Sequence, residues 1–393
     1  MAAMAKSNGR GAFPYVESVS ELPMPAPIPL APPVTNRQLA SALLALSAAE
    51  KGERPRTELR AAAWTLRQLP DELYGRRVRI AAIPGVTPRA ADVIGTFLAC
   101  GSDASIEDQL AAMLDRADPA RHRKADFLTR ADVDRVLASK ENGTGDGSRL
   151  GMSAVRGDLH LHTDRSDGKV SLASLHRSLT ARGDRFALLS DHARDCAVAG
   201  GLFPGDFAAQ REELDRLNER TEGEFRMFLG AEANIDADGA IDVTPSNVPV
   251  LDAVIASIHT ELRSHGDQTE RLVRAIETPG VAVVGHPRGR LYDHRSGIRA
   301  NWERVFEAAA RHGVAVELNG CPERCDLDPR LASLANEAGC LFSVASDAHA
   351  HRHLDHLRTA VAISRLAGIP ADRVVNTYSE ERMADWLESC RGR

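Results

Sequence analysis

Cysteine is sparse and scattered in this chain. Its six cysteines, Cys100, Cys196, Cys321, Cys325, Cys340 and Cys390, form no CxxC pair and no dense framework. That excludes a disulfide-stapled fold and reads as reduced thiols of a cytoplasmic protein. Cys321 and Cys325 are read as structural rather than as metal ligands. Long apolar runs are missing too. No stretch approaches the roughly 18 apolar residues of a membrane span, and the start of the chain lacks a basic flank followed by an apolar run. The expectation is therefore a protein without a membrane partner. Charge of one sign is also lacking, since the net charge is only −6. It is unevenly spread: residues 36–138 carry 16 Lys and Arg against 14 Asp and Glu, and residues 151–393 carry 29 against 37. An acidic excess in the larger part is what bound divalent cations would offset.

What is present is a recurrence of ligand-type residues. Short apolar runs that read as strands end in Gly157-Asp158-Leu159-His160-Leu161-His162, Ser190-Asp191-His192, Gly230-Ala231-Glu232, Ser257-Ile258-His259, Gly285-His286, Glu317-Leu318-Asn319 and Ser346-Asp347-Ala348-His349. Apolar runs alternating with helical stretches indicate parallel strands buried on both faces. A ring of such strands gathers its C-terminal ends at one mouth. His160, His162, Asp167, His192, Glu232, His259, His286, Asp347 and His349 would then converge as a polynuclear metal site. Imidazole with carboxylate suits zinc, manganese or iron, whereas all-oxygen sets suit magnesium or calcium.

The first 150 residues have a different texture. Residues 1–35 hold seven prolines between Pro14 and Pro33, which prevents regular helix and predicts a disordered, extended arm. Residues 36–138 read as a helical domain, from the apolar face of Leu39, Leu43, Leu44 and Leu46 to the segment Asp126–Leu137. Residues 139–150, rich in Gly, Asn, Asp and Thr, read as the linker to a domain spanning 151–393. Within the helical domain, Ile80 to Ile94 predicts a short helix, a tight turn at Pro84-Gly85-Val86 and a second helix. Such a hairpin would turn backbone N–H groups outward to phosphate, with Arg76, Arg77, Arg79 and Arg89 around it. This segment resembles the helix-hairpin-helix motif of DNA repair proteins and polymerases. DNA contact through Pro84, Gly85, Val86 and Arg89 is one reading, and plain helix packing is the other.

The motif Gly157-Asp158-Leu159-His160-Leu161-His162-Thr163-Asp164-Arg165-Ser166-Asp167-Gly168 resembles the opening of the PHP family, the polymerase and histidinol phosphatase domain. The later motifs follow in the family's order as far as about residue 390. Gly285-His286-Pro287-Arg288-Gly289-Arg290 and Val375-Asn376-Thr377 look most like the PHP part of bacterial family X DNA polymerases, and residues 36–115 resemble their N-terminal helical domain. The resemblance implies an α/β fold, a distorted TIM-like (β/α)7 barrel preceded by a small all-α domain. It also implies three divalent ions: one on His160, His162, Glu232 and Asp347, a second bridged by Glu232 and held by His259 and His286, a third on Asp167, His192 and His349. A hydroxide shared between the ions would attack phosphorus, and Arg290, with Arg288 less central, would neutralise the phosphoryl group. Asp191 could orient His192 from behind. Glu323 and Arg324 could line the substrate cleft. His351, His353 and His356 read as surface residues. Only about 40 residues separate the helical domain from Gly157, too few for a polymerase palm. The expected activity is therefore phosphodiester hydrolysis at DNA ends, as a 3′–5′ exonuclease or abasic-site enzyme, without polymerisation. The alternatives are a histidinol-phosphate phosphatase type of monoesterase and a non-catalytic DNA-binding accessory protein.

Overall fold

The computed structural model describes residues 32–76, 78–113, 127–139, 149–194, 200–292 and 294–392. The proline-rich arm up to residue 31, Arg77, Cys196 and linker residues 140–148 lie outside the described residues. Among the described residues no helix is long and apolar enough to cross a membrane.

Seven strands form from the apolar runs: β1 Gly157–Leu161, β2 Phe186–Leu189, β3 Arg226–Asn234, β4 Ala253–Ser257, β5 Val281–Gly285, β6 Ala315–Asn319 and β7 Leu341–Ala345. They pair in chain order, and every pairing is parallel. The ring closes where Leu161 bridges Ala348 in parallel and the His162 N–H donates to the Ala348 carbonyl at 2.9 Å. Further down the same seam, the buried Asn376 side chain accepts from the Val344 N–H at 2.8 Å. Its amide donates to the Gly157 and Val344 carbonyls at 2.9 Å each. One side chain thus supplies hydrogen bonds that a ladder supplies elsewhere in the ring.

Helices α6 Leu172–Arg182, α7 Pro204–Glu219, α8 Thr269–Glu277, α9 Trp302–His312 and α10 Pro329–Glu337 connect the strands, and α11 Leu357–Leu366 and α12 Glu380–Arg391 follow the last one. No helix joins β3 to β4, and this is the distortion in the (β/α)7 pattern. Strand side chains alternate between two apolar layers. Ala187, Leu189, Met227, Leu229, Val254 and Val316 face the helices. Phe186, Leu188, Phe228, Ile255 and Val283 fill the interior, where Met383 and Leu387 of α12 join them and close the lower end. Burial on both faces is why these runs read as continuously apolar.

β1 breaks the alternation to serve the mouth. Asp158 to Leu161 spans one residue more than Ala187 to Leu189 opposite, a β-bulge. Leu159 lies in the inner layer and Leu161 in the outer one, while His160 reaches Glu232 and Glu317 inside the ring. The extra residue lets Leu159 and His160 both face inward.

The helical domain comprises α1 Asn36–Ala49, α2 Glu53–Gln68, α3 Pro88–Cys100, α4 Asp103–Met113 and α5 Arg130–Ala138. Capping boxes at Thr35 with Gln38 and at Thr129 with Asp132 start α1 and α5. The domain is fastened to the barrel at two places. Arg365 of α11 donates to the Val136 and Leu137 carbonyls of α5 at 3.1 and 3.0 Å, and Arg358 pairs with Asp134 at 2.7 Å. The guanidinium of Arg67 on α2 lies 4.3 Å from the Phe127 ring centroid and 5.0 Å from that of Tyr292, which belongs to the loop after β5. Phe127 and Tyr292 meet edge to face at 5.2 Å. Arg67 is buried with two guanidinium nitrogens that make no hydrogen bond, so the aromatic faces are what receives its charge.

Candidate metal centre

All nine candidate ligands come together at the C-terminal ends of the strands. His162, Asp167, His192 and His349 form one group, His160, His162 and Glu232 a second, and His192, Glu232 and His259 a third. Asp347 Oδ1 stands 3.4 Å from His162 Nε2 and 3.9 Å from His160 Nε2, beside the second group. His286 Nε2 is 2.8 Å from Glu232 Oε1, beside the third. The grouping differs from expectation at His192. Its Nδ1 is 3.1 Å from Glu232 Oε2 and its Nε2 is 3.6 Å from Asp167 Oδ2, so the ring faces two groups at once.

Neighbours fix which edge of each ring looks inward. His160 Nδ1 is 2.6 Å from Glu317 Oε1, His259 Nδ1 is 2.7 Å from Asn234 Oδ1, and His349 Nδ1 is 2.9 Å from the Asp347 carbonyl. At His160 and His259 the contact takes the Nδ1 proton and leaves Nε2 without a partner, as a metal ligand requires, whereas His349 Nε2 lies 3.2 Å from Asp167 Oδ2. Glu317 also accepts from the His286 N–H at 2.5 Å, and Asn234 is itself held by Asp242. His286 and Asp347 sit at φ +25 and +54, a backbone region costly for side-chain-bearing residues and concentrated at functional sites. Gly285 is required by close approach, since a Cβ there would lie 2.3 Å from Ser257 Oγ.

The buried polar atoms point to a cation. His160 Nε2, His162 Nε2, His259 Nε2 and Glu232 Oε1 are buried yet make no hydrogen bond. His160 Nε2 lies 3.3 Å from Glu232 Oε2 without bonding to it, because both face a shared space rather than each other. Such orphaned groups are costly unless a ligand satisfies them. The charges agree. Burial opposes ionisation of Glu232 and Asp347, but the surrounding imidazoles, and Arg324 beside Asp347, hold both carboxyls well below the usual range. Burial and the rings of His349, His192 and His160 pull His162 down to about 4, and burial lowers His259. Burial also disfavours charge on His160, yet Glu317, Glu232 and Asp347 outweigh it and raise its pKa well above the ordinary value. Burial is likewise outweighed at His349, whose pKa Asp167 and Asp347 raise, so the field at the cluster is negative enough to hold positive charge, which is what a divalent cation supplies. The residues present fit a metal cluster.

Several expectations are corrected. Arg290 does not face the mouth freely. Its Nε donates to the Arg324 carbonyl at 3.1 Å, another nitrogen donates to the Cys325 carbonyl, and the side chain lies 3.6 Å from Asp328 over the Tyr292 ring. Arg288 is likewise buried against Asp328 at 2.6 Å. These two arginines build the loop; Arg324, whose Nε donates to Asp347 Oδ2 at 3.1 Å, reaches the site. Asp191 does not touch His192. It accepts from the Thr163 N–H at 2.7 Å, Ser166 Oγ at 2.6 Å and Gln210 Nε2 at 2.6 Å, and so shapes the loop that carries Asp167. His353 and His356 are half-buried and stacked at 4.9 Å, and burial pushes His356 down to about 4. The Cys321 thiol is pushed up by burial and by Asp347, and stays protonated.

Sequence reading missed the roles of Glu317 and Asn234. Asn234 lies two residues beyond Glu232 on one strand, so period-two alternation places both on one face and could have flagged it. Glu317 stood in a recognised strand end, but nothing in its spacing revealed that it reaches His160.

The predicted hairpin is less complete than its motif. Its first helix is a single 3-10 turn, Ile80–Ala82. Gly85 adopts φ +85, and a Cβ there would lie 2.5 Å from Thr65 Oγ1, so glycine is required. Val86 is buried in the core and is not available for contact. At the start of α3, Pro88 has no N–H and the Ala90 N–H is taken by Thr87 at 3.3 Å. Arg89 pairs with Glu50, and Arg76 pairs with Asp71 at 2.8 Å.

A ring of parallel strands with a His/Asp/Glu cluster able to hold metal at its mouth, together with the relatives that follow, places the protein among the hydrolases of phosphoric esters. No family model matches the sequence. A DNA polymerase/3′-5′ exonuclease PolX of Bacillus subtilis (strain 168) is 32% identical over 238 residues, 60% of this chain and 42% of that protein. The chain thus spans less than half of that relative. A probable phosphatase of Caldanaerobacter subterraneus subsp. tengcongensis is 30% identical over 251 residues, 60% of this chain and 92% of the relative. Among solved structures, a histidinol phosphate phosphatase of Lactococcus lactis complexed with zinc, L-histidinol and phosphate matches with a TM-score of 0.40 and 17% identity, over 53% of this chain and 94% of that one. The chain belongs to the PHP family.

Proposed function

We propose that this phosphoesterase hydrolyses phosphodiester bonds at DNA ends, as a 3′–5′ exonuclease or in processing abasic sites. The observation that carries the reading is the 32% identity with the Bacillus subtilis polymerase/exonuclease. The docked helical domain supports it, because the Arg67 contact joins that domain to the loop after β5, close to the mouth.

His160, His162, Glu232 and Asp347 would hold one ion, Glu232 with His259 and His286 a second, and Asp167, His192 and His349 a third. When bound, such ions supply a water that ionises near neutral pH and positive charge for the oxygens of an in-line displacement. The chain supplies the rest. Glu317 and Asn234 lock the imidazole tautomers of His160 and His259. Arg324 anchors Asp347 through Nε, and its two terminal nitrogens can fork onto a phosphoryl oxygen.

A second reading, a small phosphomonoesterase, is favoured by the match over 92% of a probable phosphatase. Incubation with manganese or zinc, comparing a 3′-labelled oligonucleotide, an abasic duplex and histidinol phosphate, decides between them. Preferential cleavage of either DNA is expected; turnover of histidinol phosphate alone would overturn the DNA reading.

A further inference from the structure

Three loops at the mouth each carry an arginine; two of the three make no ion pair among the described residues, and the third spends only Nε on a carboxylate. Arg324 follows β6, Arg295 lies on the loop after β5, and Arg263 lies on the loop after β4. The loops are stitched. The Tyr292 N–H donates to the Glu323 carbonyl at 2.9 Å, and Arg290 Nε to the Arg324 carbonyl. Arg295 sits on a tight hairpin, exchanging backbone hydrogen bonds with Leu291 at 2.9 and 3.1 Å. Its Nε donates to the Gly289 carbonyl at 2.6 Å, which aims the guanidinium. Leu262, next to Arg263, packs so closely on Gly289 that a Cβ there would lie 2.3 Å from it.

Arg295 feels the charge of both of the others. Burial, then repulsion from Arg324 and Arg263, lowers the Arg295 pKa to about 10. The carboxylate facing Arg295 is Asp326, which is buried and shared with Arg290, Arg288 and Arg324. Among the described residues Arg263 makes no ion pair, and Arg324 spends only Nε on Asp347. Two guanidinia held by their loops, only one of them ion-paired and that through Nε alone, together with an exposed third that makes no ion pair, beside a candidate metal ligand, are suited to a polyanion.

We propose that Arg324, Arg295 and Arg263 form a track for a second phosphate, adjacent to the one hydrolysed at the metal centre. This inference rests on the DNA reading and deepens it. Arg324 meets the reacting phosphate, while Arg295 and Arg263 take the neighbouring phosphodiester. The substrate class is an oligonucleotide strand with at least two successive phosphodiesters.

The test compares kcat/KM for a thymidine trinucleotide, with two phosphodiesters, and a dinucleotide, with one, using the full-length metal-loaded protein. The parent is expected to favour the trinucleotide by about tenfold or more, roughly 1.4 kcal/mol. In Arg263→Ala with Arg295→Ala the ratio should fall to about one. Arg263→Ala alone, at an exposed side chain, should lower the ratio part of the way and guards against a misfolded double variant. A parental ratio near one, or an unchanged ratio in both variants, would overturn the track. If neither oligonucleotide is cleaved but p-nitrophenyl phosphate is, the DNA reading falls. The track is then tested by inhibition of that hydrolysis. Thymidine 3′,5′-bisphosphate should inhibit the parent more tightly than thymidine 5′-monophosphate, and the double variant should not distinguish them; equal inhibition of the parent would overturn the track.

Discussion

At the barrel mouth, His160 and His259 are fastened from behind through Nδ1 while their Nε2 atoms are left without a hydrogen bond. At the turn of the helical domain several polar groups are already paired within the chain: Arg89 with Glu50, Arg76 with Asp71, and the Ala90 N–H with Thr87. Both regions carried recognisable motifs. What separates them is that a binding site keeps buried polar atoms held in place but unmatched, whereas a structural turn matches them within the chain.

The largest break in that contrast is expected at Glu232, which faces His160, His192, His259 and His286. Glu232→Gln keeps the size and removes the charge. Hydrolysis by the metal-loaded variant should fall at least about a hundredfold, on the order of 3 kcal/mol, with DNA affinity within a few-fold in the same preparation. Near-parental turnover would mean that the reacting centre is elsewhere. Elemental analysis of the parent should find two to three equivalents of transition metal, because nine ligands exceed what one four- to six-coordinate ion can use; one or fewer after supplementation would remove the polynuclear reading.

Asp158 sharpens the comparison through pH. Burial raises its pKa from 3.8 to about 6, with Arg182 opposing. A raised folded-state value means that stability is full below pH 3.8 and is lost as pH rises through 6. At 1.36 kcal/mol per unit the loss amounts to about 3 kcal/mol at most. In chelator, urea midpoints of parent and Asp158→Asn should diverge between pH 4 and 7 in favour of the variant. Parallel midpoints across that range would show that Asp158 is not held neutral.

Glu317→Gln tests the fastening from behind. Its carboxylate accepts from both His160 and the His286 N–H, so metal affinity by competition with a chelator should weaken about tenfold to a hundredfold. Unchanged affinity would make Glu317 a packing residue. The smallest effect is expected at the turn. Because Arg89 is already paired with Glu50, Arg89→Glu should weaken DNA binding only a few-fold and flatten its salt dependence, without touching hydrolysis of a small phosphodiester. An unaltered salt slope would leave the helical domain as a structural wall.

The same contrast explains what was legible beforehand. The ring of strands could be read because each apolar run ended in a ligand type, and parallel strands gather such ends. The bulge in β1, the tautomer contact from Glu317 and the engagement of Arg290 by the loop after β6 could not, since each depends on segments separated by many residues, although Arg324 was already a candidate for the cleft. A helix-hairpin-helix pattern names residues that turn a chain, but not whether a neighbouring helix brings Glu50 to meet Arg89.

The seam at Asn376 has a consequence for how the chain acquires activity. Its bond to Gly157 spans 219 residues, and Asp167 meets His349 across 182. Closing a loop of that size costs roughly 5 kcal/mol of chain entropy, and contacts so distant in sequence form slowly. Before closure a divalent ion meets only sequence neighbours such as His160 and His162. A half-folded chain therefore carries no hydrolytic centre, and the capacity to cleave a phosphoric ester arrives together with the finished ring.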